Sequence, residues 1–248
     1  KLYLFDFDGC LVDTYYALEY VFKESFKPFN IDVTFEEVIK FCRQPLPVSF
    51  KEKGGKDEEF KEFNRLIDLY LKDRQTVTNS VLFPETIKFL NCLKSKGKKI
   101  GIVTSNNIPH VKEVLEYFNI DTDLFDVYVG NQESKIHKPN PDPILKALEL
   151  LDYKYSKEET VYVGDAMDDV TAATRAGVDP ILVDRNNEYP QYNGVKVENL
   201  MDIVFKKEDI KLLIVDIDWT ILDHDTKDYD HASIEALKKA QEKGIKIC

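Results

Sequence analysis

The sequence predicts an α/β fold: a Rossmann-like parallel sheet with helices on both faces and an inserted all-helical stretch. Three observations predict it. Short apolar runs at Leu2–Phe5, Ile100–Val103 and Val161–Val163 have the length and character of buried strands. Beyond Pro84, strand patterns alternate with helical patterns of about ten residues, the signature of a parallel sheet with right-handed crossovers. Between Asp13 and Phe83 no strand pattern occurs at all.

Taken in order, Leu2–Phe5 is followed by Asp6, Asp8 and Gly9. If strand geometry held through the acids, both side chains would leave on one face. Glycine then permits a sharp turn. Asp13–Thr14 is a fair helix N-cap, and Leu18, Val21, Phe22 and Phe26 follow with helical spacing. A second helix starts after Thr34, where Thr34-Phe35-Glu36-Glu37 has the capping-box layout. A third runs from Asp57 to near Arg74, with Phe60, Phe63, Leu66, Ile67 and Tyr70 inward. The segments Arg43–Pro47 and Lys51–Lys56 separate these two helices.

The sheet resumes after Pro84, a good first helical residue. Expected elements are a helix over 85–96 stopped by Gly97, a strand over 99–104, a helix to Phe118 and a strand over 125–129. They continue with a helix over 141–151, a strand over 160–163, a helix from Met167 to near Gly177 and a strand over 181–183. From Lys211 the opening pattern returns. Leu212–Val215 precedes Asp216, Asp218 and Thr220, and Ser233–Lys243 reads as a helix before Gly244–Cys248. The organisation expected is a core over 1–13 and 84–209, a helical insertion over 14–83, and the truncated start of a second, similar domain over 210–248. With no initiator Met and an end inside a strand pattern, the chain reads as a fragment of a longer polypeptide.

Composition is that of a soluble globular protein, with 43% hydrophobic and 32% charged residues. The net charge of −11 argues against a nucleic-acid surface, which needs a basic stripe. No apolar run is long enough to span a membrane, and no signal peptide is visible. Cys10, Cys42, Cys92 and Cys248 lack Cys-x-x-Cys spacing, which points to free thiols and a cytoplasmic, reducing setting.

Four stretches in this order carry a resemblance. They are Asp6-Phe7-Asp8-Gly9 after the first strand and Thr104-Ser105-Asn106 after the second. Lys138 before Pro139 and Gly164-Asp165-Ala166-Met167-Asp168-Asp169 after the third complete the set. Each is weak alone; together they resemble the motifs of the haloacid dehalogenase superfamily, over Lys1 to about Phe205. The resemblance implies that the insertion is a helical type-one cap over the active site. It implies that the first strand lies in mid-sheet beside the strand bearing Asp165. The activity implied is a phosphatase acting on a small phosphorylated metabolite, similar to phosphoglycolate phosphatases, through an aspartyl-phosphate.

By resemblance, Asp6 is the nucleophile. Two anions repel, so it needs a Mg²⁺ ion, held by hard oxygen ligands from Asp6, Asp165 and the Asp8 carbonyl. Lys138 would stabilise transition-state charge, with Lys135 its competitor. Thr104 and the Ser105 amide would donate to phosphate oxygens. The Asp8 side chain is left for acid–base work. A halide leaves without a proton or a metal, so Asp8 and Asp165 favour phosphate chemistry over dehalogenation. Asp169 fits behind the metal, with Asp168 as alternative. Arg43 either holds an acidic leaving group or faces solvent. Cys10 departs from the Thr or Val usual at its position. A β-phosphoglucomutase-like mutase uses the same motifs, and a non-catalytic phosphate-binding module is the reading from another class.

Overall fold

The computed structural model describes residues 1–42, 44–134, 136–204, 212–213, 215, 222–223, 228–229, 231–242 and 246–248. They fall into two compact units, Lys1–Leu200 and Met201–Cys248. Arg43 and Lys135 lie outside the described residues, as do Asp216, Asp218 and Thr220.

In the first unit, β1 (Leu2–Phe5) and the short β2 (Val12–Asp13) lead into α1 (Tyr15–Phe26), α2 (Phe35–Phe41), α3 (Leu46–Glu52), α4 (Phe60–Tyr70) and α5 (Gln75–Thr78). β3 (Val81–Leu82) brings the chain back, followed by α6 (Thr86–Ser95), β4 (Lys99–Val103), α7 (Ile108–Tyr117) and β5 (Val127–Val129). Then come α8 (Asp142–Leu150), β6 (Thr160–Gly164), α9 (Met167–Ala176), β7 (Asp179–Val183) and β8 (Lys196–Val197).

The strand order is β5-β4-β1-β6-β7-β8, every pair parallel. β1 sits between β4 and β6, as expected. Strands buried on both faces need continuous apolar sequence, and Leu2, Leu4, Val103, Val129 and Tyr162 form one core with Ile144 and Ala147 of α8 and Ala172 and Ala173 of α9. Phe5 is level with Ile102 on one side and Val163 on the other. Asp6, Thr104 and Asp165 therefore emerge together at the carboxyl edge, where open α/β sheets bind ligands.

The insertion has its own core. Phe22, Phe26, Phe41, Phe50 and Phe63 pack with Val21, Val33, Val38 and Ile67. The Phe63 ring centroid lies 4.5 Å from both Phe26 and Phe50. The capping box at α2 forms: the Glu37 N–H donates to Thr34 Oγ1 (3.3 Å) and the Thr34 N–H to Glu37 Oε2 (2.8 Å).

Several elements differ from the sequence reading. The expected helix over 57–74 ends at Tyr70, and α5 begins separately. Asp73 accepts from the Gln75 N–H (2.9 Å) and the Thr76 hydroxyl (2.6 Å), local bonds that compete with helix continuation. Residues 46–52, assigned no element, form α3, with a proline in its first turn where no N–H is missed. Thr14 precedes α1 but makes no capping bond; Asp13 Oδ1 accepts from the Tyr15 N–H instead. β2 and β3 pair antiparallel, Val12 with Leu82 and Asp13 with Val81, where no strand was expected. Two residues are too few to show an alternating pattern.

The second unit contains α10 (Met201–Val204), β9 (Leu212–Leu213), β10 (Leu222–Asp223), β11 (Asp228–Tyr229), α11 (His231–Glu242) and β12 (Lys246–Ile247). β9 and β12 are parallel neighbours, and β10 pairs antiparallel with β11.

Candidate active site

Strand geometry stops at Phe5. The Leu11 and Val12 N–H groups both donate to the Phe7 carbonyl, so the chain turns within a few residues. The two first-motif acids take different partners. Asp6 lies 2.9 Å from the Lys138 ammonium. Asp8 accepts from the Thr104 hydroxyl and the Asn106 side-chain amide, each at 3.4 Å.

Lys138 is almost fully enclosed. Besides Asp6 it donates to Asp169 Oδ1 (2.7 Å) and the Tyr162 hydroxyl (3.1 Å). Tyr162 in turn donates to the Val103 carbonyl (2.9 Å) from within the core. A buried phenol needs such a partner, and here it ties the lysine to the sheet. Asp169 Oδ2 accepts from the Ala166 N–H at the start of α9. Asp168 is exposed, so only Asp169 of that pair reaches the cluster.

Carboxylate oxygens of Asp6, Asp165 and Asp169 lie within 4.8 Å of one another. Two glycines permit this approach. A Cβ on Gly9, which has φ +75°, would run into the Asp165 carboxylate, and one on Gly164 would run into Asp169. Burial pushes Asp6 well above the ordinary carboxylate range; Lys138 pulls it back, while Asp169, Asp165 and Asp8 push it up. Burial and then Asp169 push Asp165 up to about 7. Burial alone would lower the Lys138 ammonium, but Asp169 and Asp6 hold it well above its ordinary value. One lysine thus leaves a crowd of buried carboxylates under-neutralised. Hard oxygens, close spacing and unrelieved repulsion fit a divalent cation such as Mg²⁺ better than a soft one.

Cys10 is buried, and its Sγ donates to the Val163 carbonyl at 3.6 Å. The thiol keeps a donor at a position where the resembled superfamily often has threonine. None of the four cysteines is in a disulfide.

Above the acids opens a cavity of about 480 Å³. Asp8, Asp165, Ser105 and Asn106 line its floor, and Ala17, Leu18 and Leu71 of the insertion line its roof. Thr104 is buried and accepts from the Asn106 N–H at 3.1 Å. His110, in the first turn of α7, also lines the cavity, and burial pushes its imidazole down. Tyr162 and His110 were not singled out from sequence, and Asn106 was quoted there only as the end of the second motif, with no role of its own. Tyr162 alone carried a signal: a phenol inside an otherwise apolar strand.

A sequence profile of haloacid dehalogenase-like hydrolases matches residues 3–183. The chain is 31% identical over 215 residues to the pyrophosphatase PpaX of Halalkalibacterium halodurans, covering 81% of this chain and 95% of that protein. It is 27% identical over 210 residues to the phosphoglycolate phosphatase of Aquifex aeolicus, covering 82% and 96%. The fold is similar to the crystal structure of a predicted phosphoglycolate phosphatase from Haemophilus somnus, with TM-score 0.71, 25% identity and coverage of 82% and 96%. Among the described residues no helix is long and apolar enough to cross a membrane.

Proposed function

The chain belongs to the haloacid dehalogenase-like hydrolases, and on that premise we propose that it is a Mg²⁺-dependent phosphatase of a small phosphorylated metabolite. The observation that carries this reading is the Lys138 ammonium held between Asp6 at 2.9 Å and Asp169 at 2.7 Å. That arrangement keeps a buried carboxylate beside a fixed cation, next to the acids that line the cavity floor. We read residues 14–83 as the cap and residues 1–13 with 84–209 as the catalytic core.

Asp6 and Asp165 would hold the metal through carboxylate oxygens, and Asp8 through its backbone carbonyl. Asp169 stands one layer behind, its oxygens engaged by Lys138 and the Ala166 N–H. A bound Mg²⁺ supplies the positive charge that lets a phosphate dianion approach an aspartate. The Asp6 carboxylate attacks phosphorus, and the ester P–O bond breaks as the Asp6–phosphate bond forms. Asp8 gives its proton to the departing alkoxide. Asp8, now ionised, takes a proton from water as the water oxygen attacks the same phosphorus. The Asp6–phosphate bond breaks, releasing inorganic phosphate and restoring both acids. The Thr104 hydroxyl and Ser105 amide donate to phosphate oxygens, and Lys138 offsets the charge that accumulates.

The test is phosphate release across a panel of phosphoesters containing phosphoglycolate, pyrophosphate and sugar phosphates, with Mg²⁺ and with EDTA. Release with Mg²⁺ and its loss in EDTA support the reading. Undiminished hydrolysis in EDTA overturns the metal requirement. Conversion of a sugar phosphate to its isomer without free phosphate replaces hydrolase by mutase. No turnover on any member favours a binding module.

A further inference from the structure

Arg185 follows β7 and is not part of the phosphate chemistry above, yet it is largely buried, 19% exposed at the side chain. Its guanidinium meets two separate segments. Nη1 donates to the Gly9 carbonyl (3.4 Å), and Nη2 donates to the Cys10 carbonyl (3.2 Å) and to Glu85 Oε1 (2.7 Å). Its Cζ sits 3.7 Å from the centroid of the Phe83 ring. Gly9 and Cys10 directly follow Asp8. Phe83 and Glu85 directly follow β3, the strand by which the chain returns from the helical insertion. Since β2 and β3 pair, both crossings between core and insertion run side by side, and Arg185 grips their core end.

The residues that aim Arg185 are themselves fixed. Asp184 is buried, and its carboxylate accepts from the Glu188 N–H (2.7 Å), the Tyr189 N–H (3.1 Å) and Lys196 (3.1 Å). Those bonds close the loop behind Arg185. The turn is also backed by Asp165, which leaves no room for a Cβ at Gly9. The Asp8–Cys10 turn is therefore held by Asp165 at Gly9 and by the guanidinium donors at the Gly9 and Cys10 carbonyls. A planar fork that pairs bidentately and stacks on a ring can do this; a lysine cannot make all four contacts.

We propose that Arg185 is a positioning residue for the proposed phosphatase reaction: it clamps the turn after Asp8 to the crossings of the insertion, holding the Asp8 carboxyl where it serves the leaving group. The inference rests on the acid–base reading of Asp8. Loss of the clamp leaves Asp6, Lys138 and Asp165 in place, so binding of phosphate persists while proton delivery is misaligned. A misplacement of this kind costs on the order of 10²-fold in rate.

The experiment compares the full chain and its R185A, R185K, E85Q and D8N variants with Mg²⁺. It uses one alkyl phosphate and one activated aryl phosphate, in single-turnover and steady-state kinetics, with circular dichroism to check folding. For R185A the expected result is a kcat lower by about 10- to 100-fold with KM changed less than about threefold. The loss in the first step should be larger for the alkyl than for the aryl phosphate, and added methylguanidinium should restore part of the rate. R185K should fall between R185A and the unaltered protein, and E85Q should show a smaller loss in the same direction. Folded R185A with unaltered kcat overturns the proposal, as does an equal loss on both phosphates that methylguanidinium does not restore. If R185A does not fold, R185K and E85Q decide: a leaving-group-dependent loss in either supports the clamp, and unaltered kinetics in both overturn it. D8N separates the two readings. If D8N shows no leaving-group dependence, the acid assignment fails, while rescue of R185A by methylguanidinium would still support the clamp on the turn.

Discussion

The sheet core and the helical insertion bury different chemistry. Around the sheet, aliphatic and small side chains pack in register, and ionisable groups are enclosed at the carboxyl edge: Asp6, Asp169 and Asp184 are all at most 9% exposed. In the insertion, phenylalanines dominate, and the buried polar residues described are hydroxyl-bearing ones such as Ser25, Ser49 and Thr76. Phenylalanine pairs there adopt varied angles, from 23° for Phe26–Phe50 to 77° for Phe29–Phe50. A strand ladder sets atomic positions through backbone hydrogen bonds, whereas an aromatic cluster fills a volume. The core is built to hold charges at fixed separations, and the insertion is built to hold a shape.

If that division is right, activity and stability should separate between the two regions. The largest effect expected is Asp6→Asn, with turnover down by roughly 10⁴-fold or more, as for loss of a nucleophile. Its Tm should not fall, because the change removes a buried charge that burial already disfavours. Phosphate release together with a thermal melt checks both; turnover near the unaltered rate would remove Asp6 from its proposed role. In the insertion the pattern should invert. Phe63→Ala should cost about 3–5 kcal/mol of stability, from lost transfer energy and a cavity beside Phe26 and Phe50. The molecules that remain folded should keep kcat within about tenfold. A melt unchanged by Phe63→Ala would break the comparison.

A smaller effect tests a buried charge away from the acids. Burial pulls the Asp184 carboxyl up, but bonds from Lys196, the Glu188 N–H and the Tyr189 N–H more than offset this and leave it below its ordinary value of 3.8. A depressed carboxyl contributes stability that is present above its ordinary value and is lost as pH falls through its folded value. Asp184→Asn should therefore cost about 1–3 kcal/mol at pH 7. The gap from the unaltered protein should close as pH drops below 3.8. Tm measured against pH for both proteins checks the sign; a gap that widens in acid would contradict it. The smallest effect belongs to Ser25, whose Oγ is buried in the insertion without a hydrogen-bond partner among the described residues. Ser25→Ala should raise stability by up to about 1 kcal/mol, since an unpaired buried hydroxyl is a cost. A lower Tm would show that the hydroxyl is satisfied.

Much was legible in the linear order of residues. Apolar runs of strand length, each followed at once by polar groups, specified the parallel sheet and where its functional edge lies, because burial on both faces demands such runs. Helical spacing of Phe22, Phe26, Phe63 and Ile67 specified the insertion and its inward face. The pair Asp6 and Asp8, the lysine at 138 and the acids from 165 to 169 could be picked out by type and order. Their arrangement could not. Asp6 meets Lys138 while Asp8 meets Thr104 and Asn106, and the chain turns after Phe7, a matter of carbonyl and amide geometry that spacing does not encode. Asp169 rather than Asp168 meets Lys138 because α9 begins at Met167 and points only one of the two inward. β2 and β3 exist only as a pair, each too short to declare itself alone. Arg185 lies more than 170 residues from the turn it grips, with |i−j| of 176 to Gly9. Nothing local to Arg185 distinguishes it from a surface arginine; only the closure of the sheet brings a guanidinium, two carbonyls, a carboxylate and a ring within bonding distance.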